Sequence, residues 1–380
     1  MDFKVIPSAD ELRQWADLFR RFASHDGRDD PLYRAVSAIV AESPGLLALL
    51  AEAPATQRLP VLWLAAVHER VLAAGPGASE LAAYYPSVGG QRAPDAVLSA
   101  ALHRFVDAEH AALVDHLRRR ATQTNEIGRC AVLRPALQAI SERTGRPRLA
   151  LFDFGCSAGL NLAVDRYGYT YRHTCPSAQS QIATEGSDPD LRPVCHLRGA
   201  VDPQAWREPT WTLAARAGAD LAPILADDLA GQRWLEACLW PHDAARRSRL
   251  RAGLRLIRDL APTLTASEDG LGVFERWLTG LPADVQPVLF NSWVLAYFDA
   301  AALARYHARA LALVEQRGVA WVCAEMGSRS ALQLAPACPD GESPGSATLW
   351  ALHWRQADGR RRDEALAWSH PHGRWMQYLA

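Results

Sequence analysis

Hydrophobic residues at the start of the chain recur at helical spacing. Ser8 and Glu11 form a capping-box pair, and Leu12, Trp15, Phe19 and Phe22 follow on one stripe, which predicts an amphipathic helix. Asp30-Pro31 opens a second helix running to Val40, residues 61–72 are a third apolar stretch, and Asp95 caps a long helix carrying Leu98, Leu102, Phe105 and Leu113. Arg118, Arg119 and Arg120 close that helix, where positive charge suits the end of the macrodipole. No strand pattern precedes Arg148. From Leu149 the period changes: residues 149–154 are a short apolar run between Pro147 and a glycine turn, as expected of a strand buried on both faces of a parallel sheet.

Further strands are predicted at 211–215, 264–267, 288–290 and 319–324, alternating with helical stretches such as 234–260 and 300–316. That alternation argues an α/β, doubly wound sheet. In the tail, residues 347–354 and 365–369 flank a polar turn at Asp358-Gly359, which predicts an antiparallel hairpin closing the sheet edge. The expected division is a helical N-terminal domain over 1–122 and an α/β domain over 123–380.

Composition changes this picture little. A length of 380 residues suits about two domains, and 49% hydrophobic with 22% charged residues is a globular balance. The formal charge of -1 gives no reason to expect nucleic acid or an anionic membrane as partner; a small-molecule substrate is expected, with the oligomeric state left open. Lys4 is the single lysine, and no glycine-rich loop surrounds it, so a Walker phosphate loop and a pyridoxal Schiff base are both excluded. The N-terminal residues lack a secretory apolar region and no apolar run reaches membrane-span length, so a cytoplasmic location is expected. Seven cysteines without a Cys-x-x-Cys pair fit reduced thiols.

The candidate chemistry gathers at Asp153-Phe154-Gly155-Cys156-Ser157-Ala158-Gly159. This turn follows the first strand and is expected to open a helix over 160–166, so that backbone amides and the helix start face a polar or anionic ligand. The same Gly-x-Ser-x-Gly spacing also spells the nucleophile elbow of α/β hydrolases, with Ser157 as nucleophile and His370 or His372 completing the order. Against that reading, nearly everything upstream of Ser157 is helical, whereas an elbow follows several strands.

Thr124-Asn125-Glu126-Ile127-Gly128-Arg129, Ser157-Ala158-Gly159-Leu160-Asn161-Leu162 with Asp165-Arg166-Tyr167, Leu239-Trp240-Pro241 with Arg246 and Arg249, Phe290-Asn291-Ser292-Trp293, and His372-Gly373 together resemble an uncharacterised bacterial family, domain of unknown function two-three-three-two. The family is itself distantly similar to S-adenosylmethionine-dependent methyltransferases. The resemblance implies a Rossmann-like sheet of the methyltransferase type, S-adenosylmethionine as cofactor, and methyl transfer to a small molecule. The alternative is a non-catalytic cofactor- or partner-binding protein that kept the fold.

By that resemblance Asp153 orients the turn and the methionine part of the cofactor, with Gly155, Cys156, Ser157, Gly159 and Asn161 around it; Ser157 stands where the middle glycine would be. An acid after the second strand should accept from the ribose hydroxyls, which points to Asp220 with Asp202 as fallback, and Asp269 after the third strand could accept from the adenine amino group. Asn291 follows the fourth strand, where amino-group methyltransferases carry an Asn or Asp, and is a candidate catalytic and cofactor residue; Trp293 and Tyr297 either line the acceptor or pack the core. Glu126, a second catalytic candidate, and Arg129 share one helical face and, with Asn125, are expected to meet substrate or each other. Arg246 and Arg249 read as a solvated face or an acidic-substrate clamp. His173, Cys175, Cys195 and His196 match no standard zinc spacing, and no metal is expected.

Overall fold

The computed structural model describes residues 7–123, 125–173, 181–184 and 188–379. The chain divides into two compact units, Met1–Thr124 with Asp228–Ser248, and Asn125–Asp227 with Arg249–Ala380. The first unit therefore takes in a segment, Asp228–Ser248, that the sequence pattern placed in the second.

The first unit opens with α1 (Ala9–Ser24), α2 (Pro31–Ala41), α3 (Pro44–Ala48), α4 (Pro60–Ala74), α5 (Leu98–Ala108) and α6 (His110–Arg119). The predicted capping box closes α1: Glu11 N donates to Ser8 Oγ at 3.2 Å, and Ser8 N to Glu11 Oε2 at 2.9 Å. Asp30 caps α2 through Tyr33 N at 2.9 Å, with Pro31 pre-set for the first turn. The helix expected from Asp95 onward is two: Asp95 accepts from Val97 N instead, and the chain breaks between α5 and α6 at Glu109. Phe19, Trp63, Leu102 and Trp234 belong to the buried core of this unit. Among the described residues no single helix is long and apolar enough to cross a membrane.

The second unit begins with α7 (Cys130–Thr144), β1 (Arg148–Phe154), β2 (Thr170–His173), β3 (Gln181–Ala183), β4 (Val194–Arg198) and β5 (Thr212–Asp220). The chain returns to the first unit for α8 (Leu229–Ala237) and the start of α9 (Ala244–Leu260). The predicted helix over 234–260 is thus interrupted, since Pro241 lacks the amide needed to continue it. There follow β6 (Thr263–Ala266), α10 (Gly270–Leu278), β7 (Gln286–Ser292), α11 (Ala300–Arg317), β8 (Ala320–Met326), β9 (Thr348–Arg355), β10 (Arg361–Ser369) and β11 (Trp375–Tyr378).

These strands form one mixed sheet of 11 in the order β3-β2-β4-β11-β10-β9-β8-β7-β1-β5-β6, so the chain is α/β. The block β6-β5-β1-β7-β8 is parallel throughout, whereas β9 runs antiparallel to both β8 and β10. The predicted hairpin is therefore present as β9 and β10, but it lies inside the sheet and does not close its edge. The short strands β2, β3, β4 and β11 extend the sheet beyond it. Phe152, Leu289, Trp321 and Ala351 face α10 and α11 across one core. Alternation along β1 turns Asp153 to the opposite face, toward α7: Asn161 donates to Asp153 at 3.0 Å and accepts from Cys130 Sγ, at the start of α7, at 3.7 Å.

Candidate functional site

The carboxyl ends of β1, β5, β7 and β8 carry several of the polar residues that sequence singled out, Asp153, Asp220 and Asn291 among them, and one that it did not. β1 is followed by Gly155 at φ +79°, and a Cβ there would meet Val294 at 2.6 Å, so the tight turn requires glycine for packing. Ser157 (φ +48°) and Trp293 (φ +58°) are two of the three non-glycine residues with positive φ among the described residues. Left-handed backbone at a bulky residue is costly, and it falls here at the ends of two adjacent strands.

Every amide of the turn has an internal acceptor. Gly155 N and Cys156 N both donate to Ala219 O, at 2.8 and 3.2 Å, and Gly159 N to Cys156 O at 2.7 Å. Ser157 N donates to Asp220 Oδ2 at 2.9 Å, and Ala158 N to Asn125 Oδ1 at 3.4 Å. The helix expected over 160–166 is a single 3-10 turn, Leu160–Ala163. The expectation that turn amides and a helix start present themselves to an anion is therefore corrected: the amides are satisfied by the protein, and a four-residue turn carries no appreciable macrodipole.

Acidic groups face this region instead. Asp220 ends β5 beside the turn, its second oxygen accepting from Ala222 N at 3.0 Å. Asp153 is buried, and burial pushes its carboxyl up to about 7; the Asn161 bond opposes the rise and the Asp220 charge adds to it. Burial raises the Cys156 thiol far above its ordinary range, which removes it as a nucleophile. Asn125 Nδ2 donates to Ser157 Oγ at 2.8 Å, placing a donor against the hydroxyl where an elbow serine needs a proton acceptor.

Asn291 is wholly buried and saturated. Its Oδ1 accepts from Trp321 Nε1 at 2.7 Å and Tyr306 OH at 3.3 Å, which forces Nδ2 toward Glu325 Oε1 at 2.8 Å and Cys323 Sγ at 3.6 Å. No capacity remains on Asn291 for a ligand; it orients Glu325, which the sequence reading passed over. Glu325 has no exposed surface, and its Oε1 also accepts from Val294 N at 3.0 Å and Leu295 N at 3.2 Å. Its Oε2 has no partner. Burial pushes this carboxyl up to about 7 against those hydrogen bonds and the Arg129 charge. The signal was available: a carboxylate directly after the apolar run 319–324 sits at the carboxyl end of a buried parallel strand, where ligands bind in open α/β sheets.

Other predicted residues lie as follows. Glu126 Oε1 accepts from Gly128 N at 3.0 Å and stands 3.7 Å from Arg249 Nε, so Arg249 is paired to the site side of its helix and is not a merely solvated charge. Arg129 Nε donates to Pro371 O at 2.9 Å. Trp293 Nε1 donates to Thr348 Oγ1 at 2.7 Å, and Tyr297 is 60% exposed. Asp269 caps α10 through Gly272 N at 2.9 Å and pairs with Arg309 at 2.6 Å, so its carboxylate serves the helix. Asp202 caps a short turn through Gln204 N at 3.0 Å, and Arg246 N donates to Asp243 at 2.9 Å. Cys175 lies outside the described residues. Cys195 and His196 are neighbours on β4 and so point to opposite faces, and among the described residues no group of three or more His, Cys, Asp or Glu is placed to hold a metal.

The motif ends 127–129 and 372–373 meet in space. A Cβ on Gly373 (φ +67°) would overlap the Gly128 carbonyl, and one on Gly128 the His372 carbonyl. Gly373→Ala is expected to cost about 3 kcal/mol or more, from backbone overlap and left-handed strain together, as read by urea unfolding. A variant as stable as the parent would show that these two segments do not touch.

No curated protein and no solved structure matches the chain. The motifs recognised in the sequence do find their family: residues 16–378 match the model described as an uncharacterised protein conserved in bacteria (DUF2332), and the chain belongs to that family.

Proposed function

We propose that this protein is an S-adenosylmethionine-dependent methyltransferase acting on a small molecule, on a Rossmann-like sheet of the methyltransferase type. The observation that carries the reading is the parallel block β6-β5-β1-β7-β8 with acidic residues at its carboxyl ends. Counted along the chain, its strands stand in the order third, second, first, fourth, fifth, which is the doubly wound order, and the chain reverses direction across the sheet between β1 and β7. Ligands of such sheets bind outside the carboxyl ends at that reversal.

The donor set argues for a cation over a phosphate. Satisfied turn amides offer nothing to a pyrophosphate, whereas Asp153 and Asp220 suit a ligand carrying positive charge and a ribose. Bound S-adenosylmethionine would supply an electrophilic methyl group on a sulfonium. Asp220 retains lone pairs beyond its two backbone bonds, which supports a role in accepting from ribose hydroxyls. Asp153 and Asn161 hold the turn against α7 and set its position. In-line transfer from a sulfonium depends mainly on positioning, which a rigid strand-end frame provides.

Calorimetric titration of the full chain with S-adenosylmethionine and S-adenosylhomocysteine tests this. Saturable binding is expected, weakened about tenfold or more by Asp220→Ala, since a charged hydrogen bond contributes roughly 1.5 to 3 kcal/mol. Folded native protein that binds neither nucleoside removes the proposal. The closed turn amides and the missing helix favour a second reading, a non-catalytic binding protein with this fold; binding without consumption of the methyl donor by any acceptor would select it.

A further inference from the structure

Two side-chain atoms at the carboxyl ends of β7 and β8 are buried without a partner, Ser292 Oγ and Glu325 Oε2, and the carboxyl oxygen is the stronger acceptor. Glu325 Oε1 is held by three donors, Asn291 Nδ2, Val294 N and Leu295 N, and this fixes where Oε2 points. Trp321 and Tyr306 in turn hold Asn291, so the carboxyl is oriented by a chain of buried groups that leaves it little rotational freedom. Yet Oε2 itself is buried and unpartnered. A buried acceptor without a partner costs about 1 to 3 kcal/mol, and such a cost is retained most readily where a ligand supplies the missing donor.

We propose that Glu325 takes the proton of the methyl acceptor, and that the acceptor therefore attacks through an N–H or O–H group. The inference rests on the methyl-transfer reading above and names the substrate class for it. The acceptor's nitrogen or oxygen lone pair forms the new bond to the methyl carbon. The methyl–sulfur bond breaks with its electron pair left on sulfur, and the acceptor's proton passes to Glu325 Oε2. A thiolate acceptor would bring no proton and would meet like charge at this position.

The groups around the carboxyl suit the task. Burial raises it to about 7, where a base can both take and release a proton near neutral pH. Arg129 is the positive charge acting on it and opposes that rise. Cys323, whose thiol burial holds protonated, and Tyr306, whose hydroxyl is raised in the same way, are the other titratable groups coupled to it. Neither carries charge at neutral pH and an arginine stays charged throughout, so among these groups the response near pH 7 belongs to Glu325.

The test combines binding, transfer and a direct view of the carboxyl. Native protein, Glu325→Gln and Glu325→Asp are titrated with S-adenosylhomocysteine, then assayed with methyl-labelled S-adenosylmethionine and four probes: imidazole, aniline, phenol and ethanolamine. Infrared spectra from pH 5 to 9 follow the protonated-carboxyl band. Native transfer should rise with pH through about 7, and Glu325→Gln should lose about a hundredfold or more in rate while keeping nucleoside affinity. Glu325→Asp, which keeps the charge but shortens the reach, should keep a titrating band and lose rate. Transfer that survives Glu325→Gln with its pH profile intact overturns the proposal. If no probe is methylated, the infrared titration decides: a band near neutral pH that Glu325→Gln abolishes supports the proposal, and a Glu325 carboxyl ionised from pH 5 to 9 overturns it. Failure of the native protein to bind the nucleoside at all counts against the methyl-transfer reading and is told apart by that first titration.

Discussion

At pH 8 the Glu325→Gln variant resists urea better than the native protein, and at pH 5 most of that difference is gone. In the native fold burial holds the Glu325 carboxyl up to about 7, against an ordinary value of 4.5. Between those values the folded chain keeps a proton that the unfolded chain has released, so stability falls as pH rises. The contribution is complete below about 4.5 and gone above about 7, and a shift of this size corresponds to about 3 kcal/mol. Glutamine mimics the neutral acid: its carbonyl accepts from the donors now on Oε1, and nothing ionises. Asp153, also raised to about 7, gives the variant a residual slope of the same sign, which Asp153→Asn should remove. Urea unfolding of native, single and double variants across pH 5 to 8 measures this. Parallel curves for native protein and Glu325→Gln would mean that the carboxyl is ionised in the folded state. A gain in stability accompanied by loss of transfer would mark the residue as one kept for chemistry at a cost to the fold.

Glu69→Ala should lose about 3 to 5 kcal/mol, the usual result of removing one partner from a buried charged cluster. The Glu69 side chain, on α4, is 3% exposed, and it accepts from His116 Nε2 at 2.6 Å and Arg233 Nε at 2.6 Å, with Arg70 at 3.4 Å. Burial alone would raise its pKa; the bonds from His116 and Arg233 reverse that and hold the carboxyl down to about 2. Its contribution is therefore present above about 4.5 and is lost as pH falls toward 2, the opposite sense to Glu325. Arg233 lies on α8, so the cluster joins the inserted segment to the N-terminal helices of the same unit. Urea unfolding followed through tryptophan fluorescence, to which Trp63 and Trp234 in this unit's core contribute, reports on it. An alanine variant that unfolds within about 1 kcal/mol of the parent would place the cluster among weak surface pairs.

Local pattern was a good guide wherever one element could be recognised from its own residues. The capping box at Ser8 and Glu11, the proline start at Pro31, and the apolar runs that became β1, β7 and β8 all carry their signal within a few positions. The strands β2, β3, β4 and β11 did not, because runs of three to five residues lack the length for a period to stand out. Helix ends were misread where a break needs no unusual residue, as at Glu109, and a helix was expected over 160–166 from its place behind a strand and a glycine turn, where the chain makes a single 3-10 turn.

By itself the sequence determined the family, the α/β character of its latter part and the acid-bearing glycine turn after β1, since each depends on residues near one another in the chain. The tertiary structure alone decided what those groups can do. Asn291 loses its hydrogen-bonding capacity to Trp321 and Tyr306, each of which reaches it from another element. The turn amides lose theirs to Ala219, Asp220 and Asn125 as well as to the turn itself. Glu325 gains an unpartnered oxygen only because three donors from separate positions converge on its other one. Availability for a ligand depends on which partners have already been taken in three dimensions, and residue identity and spacing along a chain do not encode it.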